Sequence, residues 1–258
     1  MSLSDKAAVI TGGGRGIGRA TALALAEAGA RVTVAARTLP EIESVVAELE
    51  GAGHEAWATA CDVADGDQIE TLAREAIRQM GQVDVLVNCA GISLSAKLEA
   101  TTLEDWETQM AVNATGTFLC TRAFLPAMLE RGWGRVINVA STAGREGMPY
   151  VSAYTASKHA VVGFTRSVAT ETAAYGVTVN ALCPGFVDTE MTTDSLQRIV
   201  EKTDLTFADA RKRLEDMSPQ GRMLQPEEVA FMAVSLCDVQ AAGINGQAIV
   251  MDGGAVQG

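Results

Sequence analysis

The chain has 258 residues, of which 48% are hydrophobic, and a formal net charge of −12 at pH 7, which suits one large domain with an ample core. So acidic a body argues against a general nucleic-acid-binding surface, and any anionic ligand must be met by a local cluster of positive groups. Five scattered cysteines without a C-x-x-C pair, and only two histidines, point away from a disulfide framework and from any metal site, and towards a reducing, cytoplasmic location.

The N-terminal M-S-L-S-D-K-A-A-V-I runs directly into a strand pattern, without signal-peptide architecture, and no run of ~18 apolar residues predicts a membrane span. Seven short apolar runs then recur along the chain. They are K-A-A-V-I-T at 6–11, R-V-T-V-A-A at 31–36, E-A-W-A-T-A at 55–60, V-D-V-L-V-N at 83–88, G-R-V-I-N-V-A at 134–140, V-T-V-N-A-L at 177–182 and Q-A-I-V-M at 247–251. Amphipathic segments lie between them, for instance from Gln68 to Met80 and from Leu103 to Leu129. Near-continuous apolar strands alternating with helices predict an α/β fold, a doubly wound parallel sheet of seven strands with helices on both faces. No linker or repeat interrupts 1–258, so a single domain is expected. One polar, helical stretch, Asp188 to Arg222, breaks the rhythm after the sixth strand, where open α/β sheets bind ligands, and reads as a substrate lid.

The first strand ends in T-G-G-G-R-G-I-G, Thr11 to Gly18, and a helical pattern follows. Glycines there permit a tight turn and let backbone N–H groups approach a pyrophosphate at the positive end of the helix. This makes Gly12, Arg15, Gly16, Ile17 and Gly18 candidate cofactor contacts; the plain alternative is a tight turn without a ligand. The second strand ends in V-A-A-R, with Ala36 where an acidic residue would bind a ribose 2′-hydroxyl and Arg37 next. Arg15 and Arg37 without a carboxylate suit a 2′-phosphate, and predict NADP(H) over NAD(H).

Tyr154 and Lys158 stand four apart in S-A-Y-T-A-S-K-H-A-V-V-G-F, on one side of an expected helix about one turn apart. A phenol titrates near pH ~10, too high for proton exchange at neutrality. A cation about 4 Å away is worth roughly 4 kcal/mol at an effective dielectric of ~20, up to three pKa units. The pair reads as a tunable acid/base, against the alternative of an exposed Lys beside a core Tyr. His159 adjoins Lys158 but points about 100° away around the helix, which argues against a direct catalytic role.

Over essentially its whole length the chain resembles the short-chain dehydrogenase/reductase family. The matching residues are T-G-G-G-R-G-I-G at 11–18, C-D-V at 61–63, N-C-A-G at 88–91, N-A-T-G at 113–116 and the serine of V-A-S at 139–141. Y-T-A-S-K at 154–158, P-G-F-V-D-T at 184–189 and the terminal N-G-Q-A-I-V-M-D-G-G complete them. Cys89 departs from the pattern, standing where asparagine is usual. The resemblance implies a Rossmann fold and a metal-free oxidoreductase that interconverts a carbonyl and a secondary alcohol by hydride transfer. It implies that Tyr154 exchanges a proton with the substrate oxygen, that Lys158 lowers its pKa and binds the nicotinamide ribose, and that Ser141 holds the carbonyl and developing oxyanion. Asn113 resembles a helix-interrupting asparagine whose freed carbonyl holds a water in a relay to Lys158. Asp62 and Val63 resemble adenine contacts; Asn88, Ala90 and Gly91 resemble the main-chain wall beside the adenosine ribose. Pro184 and Gly185 fall in the last cofactor motif, where Val187 and Thr189 resemble the residues that grip the carboxamide.

The substrate is less legible. Met191, Leu196, Ile199, Leu205, Phe207, Leu214 and Met217 suggest an apolar pocket, or simply a lid that packs. The nearest flavour of resemblance is to 3-oxoacyl thioester reductases and polyketide ketoreductases. Tyr175 occupies a place where carrier-protein reductases often have a basic residue, which argues against carrier-protein docking and leaves open a coenzyme A thioester, with Arg145 or Arg131 as anchors for an anionic tail, or a free ketone or secondary alcohol. A free ketone or cyclic alcohol is the second reading, and a non-catalytic nucleotide-binding protein or an epimerase or dehydratase are others. Relatives are usually homodimers or homotetramers, and the apolar face of F-L-C-T-R-A-F-L-P-A-M fits such an interface.

Overall fold

Each of the seven apolar runs forms a strand. In the computed structural model, which describes residues 2–256, these are β1 Ala7–Thr11, β2 Arg31–Ala36, β3 Ala56–Ala60, β4 Val85–Asn88, β5 Gly134–Val139, β6 Val177–Pro184 and β7 Ala248–Met251. All pair in parallel in the order β3-β2-β1-β4-β5-β6-β7. The order reverses between β1 and β4, which opens a crevice at the carboxyl ends of these strands. β4 starts two residues later than the apolar pattern suggests because Asp84 turns its carboxylate to the edge, accepting the Ala7 N–H at 3.0 Å.

Nine helices connect the strands in the described residues: α1 Gly16–Glu27, α2 Leu39–Gly51, α3 Gly66–Met80, α4 Leu103–Gln109, α5 Gly116–Arg131, α6 Ser152–Thr172, α7 Glu190–Lys202, α8 Phe207–Glu215 and α9 Pro226–Leu236. Two apolar layers hold them to the sheet. Leu25, Ile42, Leu49 and Val229 bring α1, α2 and α9 onto one face. Ile69, Leu72, Phe124, Met128 and Val168 bring α3, α5 and α6 onto the other. The inner strands β1, β4, β5 and β6 are buried on both sides, which is why they read as continuous apolar runs, while the edge strands β3 and β7 are only half-buried. No helix among the described residues is long and apolar enough to cross a membrane.

The amphipathic stretch Leu103–Leu129 is not one helix. A π-helical turn, Met110–Thr115, separates α4 from α5 and places Asn113 inside the bend. The segment at 188–222 becomes α7 and α8 around a small core of Leu196, Ala210, Leu214 and Met223. Its two ends lie side by side, because Val187 and Leu224 form a β-bridge and the Asp188 N–H donates to Leu224 O at 2.9 Å. Arg211 on α8 fastens it further, donating to both Asp188 carboxylate oxygens at 3.2 and 2.6 Å.

A buried polar ladder joins the centre of the sheet to its helices. Asn88 Nδ2 donates to Thr121 Oγ1 at 3.0 Å and to Asn138 Oδ1 at 2.8 Å, and Asn138 Nδ2 donates to Thr165 Oγ1 at 2.8 Å. Truncating a fully buried member leaves its partners short of a bond. Asn138→Ala is expected to cost about 1–3 kcal/mol of unfolding free energy, read from urea denaturation, with dinucleotide affinity kept.

Candidate active site

The crevice is a cleft of ≈ 990 Å³ lined by the loop after β1, the ends of β2 and β5, the Ser93–Lys97 segment, the N-terminal part of α6 and the inner side of α7 and α8. At one end lies the Gly-rich loop. Gly12 has φ +65°, and a Cβ there would fall 2.7 Å from Ala90 Cα, so only glycine suits this turn. A Cβ on Gly18 would come 2.1 Å from Gly12 O, so the helix and its loop pack with no room for a side chain. Arg15 caps α1 in extended conformation without a side-chain cap bond, and the first turn has no acidic residue. Uncapped amides at the positive end of a twelve-residue helix fit a pyrophosphate.

Arg15, Ile17, Arg37, Asp62, Val63, Ala90, Gly91, Pro184, Gly185, Val187 and Thr189 all face the same cleft, as do Gly12, Gly16 and Gly18. Asn88 does not. Its side chain is spent in the buried ladder, where it joins β4 to β5 and α5. The motif's asparagine therefore belongs to the core, and the wall begins at Cys89. The adenosine corner also holds two carboxylates, Asp62 and Glu41, of which Glu41 escaped the sequence reading. It stands near Gly14, four positions after Arg37, on the first turn of α2.

At the other end, Ser141, Tyr154 and Lys158 meet. Ser141 follows β5 and its Oγ accepts from Ala143 N at 3.1 Å, capping a short 3₁₀ turn on the cleft wall it shares with the Tyr154 phenol. Capping and facing the phenol are thus compatible. Lys158 is only 4% exposed, and its Nζ donates to Val139 O at 2.8 Å. The ammonium lies 5.7 Å from the centre of the Tyr154 ring.

Electrostatics here run against the simple expectation. Burial raises the Tyr154 phenol above its ordinary value, and the hydrogen bond with Ser141 only partly opposes it. Burial also pulls Lys158 down, to about 8, against a partial rise from the thiols of Cys89 and Cys183. Desolvation dominates over the cation because the ammonium is itself dry and aimed at a carbonyl. The phenol therefore stays protonated at neutrality, the state required of a proton donor.

Asn113 anchors the bend. Its Oδ1 accepts the Ile92 N–H at 2.9 Å, and its Nδ2 donates to Ile92 O and to Ser157 Oγ, each at 2.9 Å. Ser157 in turn donates to Tyr154 O at 2.7 Å, so the asparagine ties the β4 loop to the helix that carries the phenol. The Asn113 main-chain carbonyl accepts from Thr117 Oγ1 at 2.8 Å. A Cβ on Gly91 would lie 3.3 Å from Asn113 Oδ1 and 3.5 Å from Lys158 Nζ, which places both groups around that glycine.

His159 points outward, with Nδ1 2.9 Å from Thr155 O, and is no part of the cleft. Among the lid residues, Met191, Ile199, Leu205, Leu214 and Met217 reach the cleft wall. Leu196 instead packs inside the lid, and Phe207 is 41% exposed. Arg131 is not a substrate anchor. It closes α5 at the amino end of the central strand β4, away from the cleft, donating to Val83 O and lying 3.8 Å from the buried Asp84 carboxylate. Arg145 is also outside the cleft wall. The cations that do reach the substrate half are Lys97, Arg198, Lys202 and Arg213. On α7 the lining residues Met191, Ser195, Arg198 and Lys202 recur at helical spacing, a signal present in the sequence.

A doubly wound sheet whose switch point joins an uncapped phosphate loop to a cluster of a buried Lys158 and Ser141 and a half-buried Tyr154 defines a nicotinamide-dependent oxidoreductase. The sequence model of the family described as short chain dehydrogenase matches residues 6–199. A 3-oxoacyl-(acyl-carrier-protein) reductase of Synechocystis sp. is 42% identical over 260 residues, spanning 99% of this chain and 98% of the relative. The crystal structure of an actinorhodin polyketide ketoreductase variant with NADPH superposes with a TM-score of 0.95 at 39% identity, over 99% of both chains. Levodione reductase gives a TM-score of 0.93 at 31% identity, over 97% of both. The chain belongs to the short-chain dehydrogenase/reductase family. It interconverts a carbonyl and a secondary alcohol with a nicotinamide cofactor.

The depressed value of Lys158 has a measurable consequence. The unfolded chain binds this proton more tightly than the folded one, so the lysine's unfavourable contribution is full below about 8 and fades as pH rises towards its ordinary 10.5. Lys158→Met is expected to be more stable than the parent at pH 7 by about 1–3 kcal/mol. That advantage should shrink steadily above pH 8, in thermal melts of the two proteins in the same buffers.

Proposed function

We propose that this chain is an NADPH-dependent reductase of 3-oxoacyl thioesters, with Ser141, Tyr154, Lys158 and Asn113 as its catalytic set. The observation that carries the reading is the Tyr154 phenol, kept protonated by burial and set beside Ser141 and Lys158 in the wall of a largely apolar cleft. A bound reduced nicotinamide supplies the hydride that reaches the carbonyl carbon. Tyr154 gives its proton to the carbonyl oxygen as charge develops there, and the Ser141 hydroxyl donates a hydrogen bond to the same oxygen. The Lys158 ammonium, one helical turn on, offsets the charge left on the phenolate. Asn113 holds the helix register that keeps phenol and ammonium on one wall.

The Gly12–Gly18 loop would receive the pyrophosphate, Asp62 and Val63 the adenine, Ala90 and Gly91 the adenosine ribose, and Pro184, Gly185, Val187 and Thr189 the nicotinamide. NADP(H) is favoured over NAD(H) by Arg15 and Arg37 in the cleft wall and by Ala36 at the end of β2. The actinorhodin relative, crystallised with NADPH, supports the same choice. The thioester is suggested by what the Synechocystis relative is named for, and coenzyme A as its carrier by the exposed Tyr175 in place of a basic residue. The likeness to levodione reductase favours a free ketone as the second reading. Segment 188–222 acts as the lid. A homodimer or homotetramer would cover Phe118, 41% exposed on α5 and packed edge-on against Phe164 of α6. Five free thiols fit a cytoplasmic setting.

Tyr154→Phe is expected to lower kcat by about 10²–10⁴-fold while cofactor affinity stays unchanged, measured by absorbance at 340 nm and by fluorescence titration. Arg37→Ala should lower kcat/KM with NADPH about tenfold more than with NADH. A panel of acetoacetyl-CoA, acetoacetyl-carrier protein and simple cyclic ketones decides the substrate, with the highest kcat/KM expected for a thioester.

A further inference from the structure

The two halves of the cleft differ in charge. In the dinucleotide half, Arg15 and Arg37 share the wall with Glu41 and Asp62. Glu190 belongs to that half too, since its Oε2 lies 3.8 Å from the Cβ position on Gly16. The half formed by the lid and the loop after β4 carries Lys97, Arg198, Lys202 and Arg213. None of these four has a carboxylate within 4.0 Å among the described residues. Asp209, a turn from Arg213, is bonded by Thr206 and feels Arg213 only from beyond ion-pair distance. Four cations without a close carboxylate on one wall of a body of net charge −12 are a local inversion of the protein's own field.

Arg198 is the fixed member of the group. It rises from α7 towards the Ser93 loop, and one terminal nitrogen donates to Ser93 O at 3.2 Å and Ser195 Oγ at 2.9 Å. Its Nε is buried and has no acceptor. The guanidinium also separates the main cleft from a side cavity of ≈ 160 Å³ shared with Gln109 and Tyr150. Asp105 lines that cavity, but its carboxylate is occupied by the Thr102 hydroxyl and amide. A guanidinium tied through one nitrogen keeps the others for an oxyanion, and a bound oxyanion would relieve the dry Nε.

We propose that this wall is an anion site that holds the phosphate of the phosphopantetheine arm of the acyl thioester, with Arg198 as the specificity-determining residue and Lys97, Lys202 and Arg213 as its exposed rim. The inference rests on the thioester reading above and adds the group by which the carrier is recognised. The acyl end must reach Tyr154 inside the cleft, so the charged end of a long arm remains at the mouth, where the rim cations meet solvent. The phosphate is common to coenzyme A and to a carrier protein.

The test compares acetoacetyl-CoA, acetoacetyl-carrier protein and the neutral acetoacetyl N-acetylcysteamine thioester on the parent, Arg198→Gln, Arg198→Lys and the surface variant Lys202→Glu. Expected is a rise of about tenfold in the ratio of KM for acetoacetyl-CoA to KM for the neutral thioester in Arg198→Gln. A smaller rise is expected in Arg198→Lys, and a rise in Lys202→Glu that added salt diminishes. An equal rise with the carrier-protein substrate assigns the anion to the shared phosphate; a rise confined to acetoacetyl-CoA assigns it to coenzyme A. An unchanged ratio in both Arg198→Gln and Lys202→Glu overturns the anion site while the thioester reading stands. A parent enzyme that reduces none of the three thioesters overturns both together.

Discussion

An ammonium buried beneath the carboxyl end of β5, with its Nζ on Val139 O, constrains everything around this cleft. A charge removed from water is costly unless its surroundings are polar and fixed. The chain answers by presenting a strand carbonyl, by leaving Gly91 without a side chain beside the nitrogen, and by packing α6 against β6. The same dryness keeps the neighbouring phenol protonated. Acid and cation are therefore tuned by a shared environment more than by each other, and the lysine's discomfort is the stability given up for the site.

Rigidity comes from side-chain amides used as braces. The π-helical turn would leave the backbone between α4 and α5 loosely connected, but Asn113 bonds the β4 loop on one side and Ser157 on the other. Below it, Asn88 and Asn138 carry bonds from α5 through β4 and β5 to α6. Such a network in a dry sheet is stabilising only when its members are paired, and it specifies one register between strands and helices. Tyr150 marks the opposite strategy at the cleft lip. It is the one non-glycine residue at positive φ, 66°, among the described residues, and its carbonyl is held by the Ala96 N–H at 2.8 Å.

The charge distribution follows the division of labour. A body of net charge −12 would repel both a dinucleotide and an anionic substrate. Cations gathered into the cleft invert that field locally, and the acidic outer surface then leaves the cleft as the attractive place for an anion. The 188–222 segment contributes much of this inversion, and its two ends are fastened together at Val187 and Leu224 so that α7 and α8 form one unit.

Much of this was legible in the residues alone, and the reasons are local. Continuous apolar runs predict a sheet covered on both faces because each strand must satisfy two apolar layers. The Gly-rich loop reads from sequence because its turn and its contact with Ala90 exclude a Cβ at Gly12. The spacing of Tyr154 and Lys158 places them on one helix face by period alone. Other features depend on what distant segments bring near. Asn88 looks like a wall residue until Asn138 and Thr121 claim its side chain. Arg131 looks like an anchor until Asp84 takes it at the amino end of the sheet, opposite the cleft. Glu41, Arg198 and Lys97 acquire their meaning only when α2, the lid and the β4 loop close around one cleft. Backbone geometry and helical period act over a few residues and are written in order along the chain. Desolvation and the pairing of charges act through space, so the value of each titrating group, and which cations remain unpaired, was decided by the folded packing.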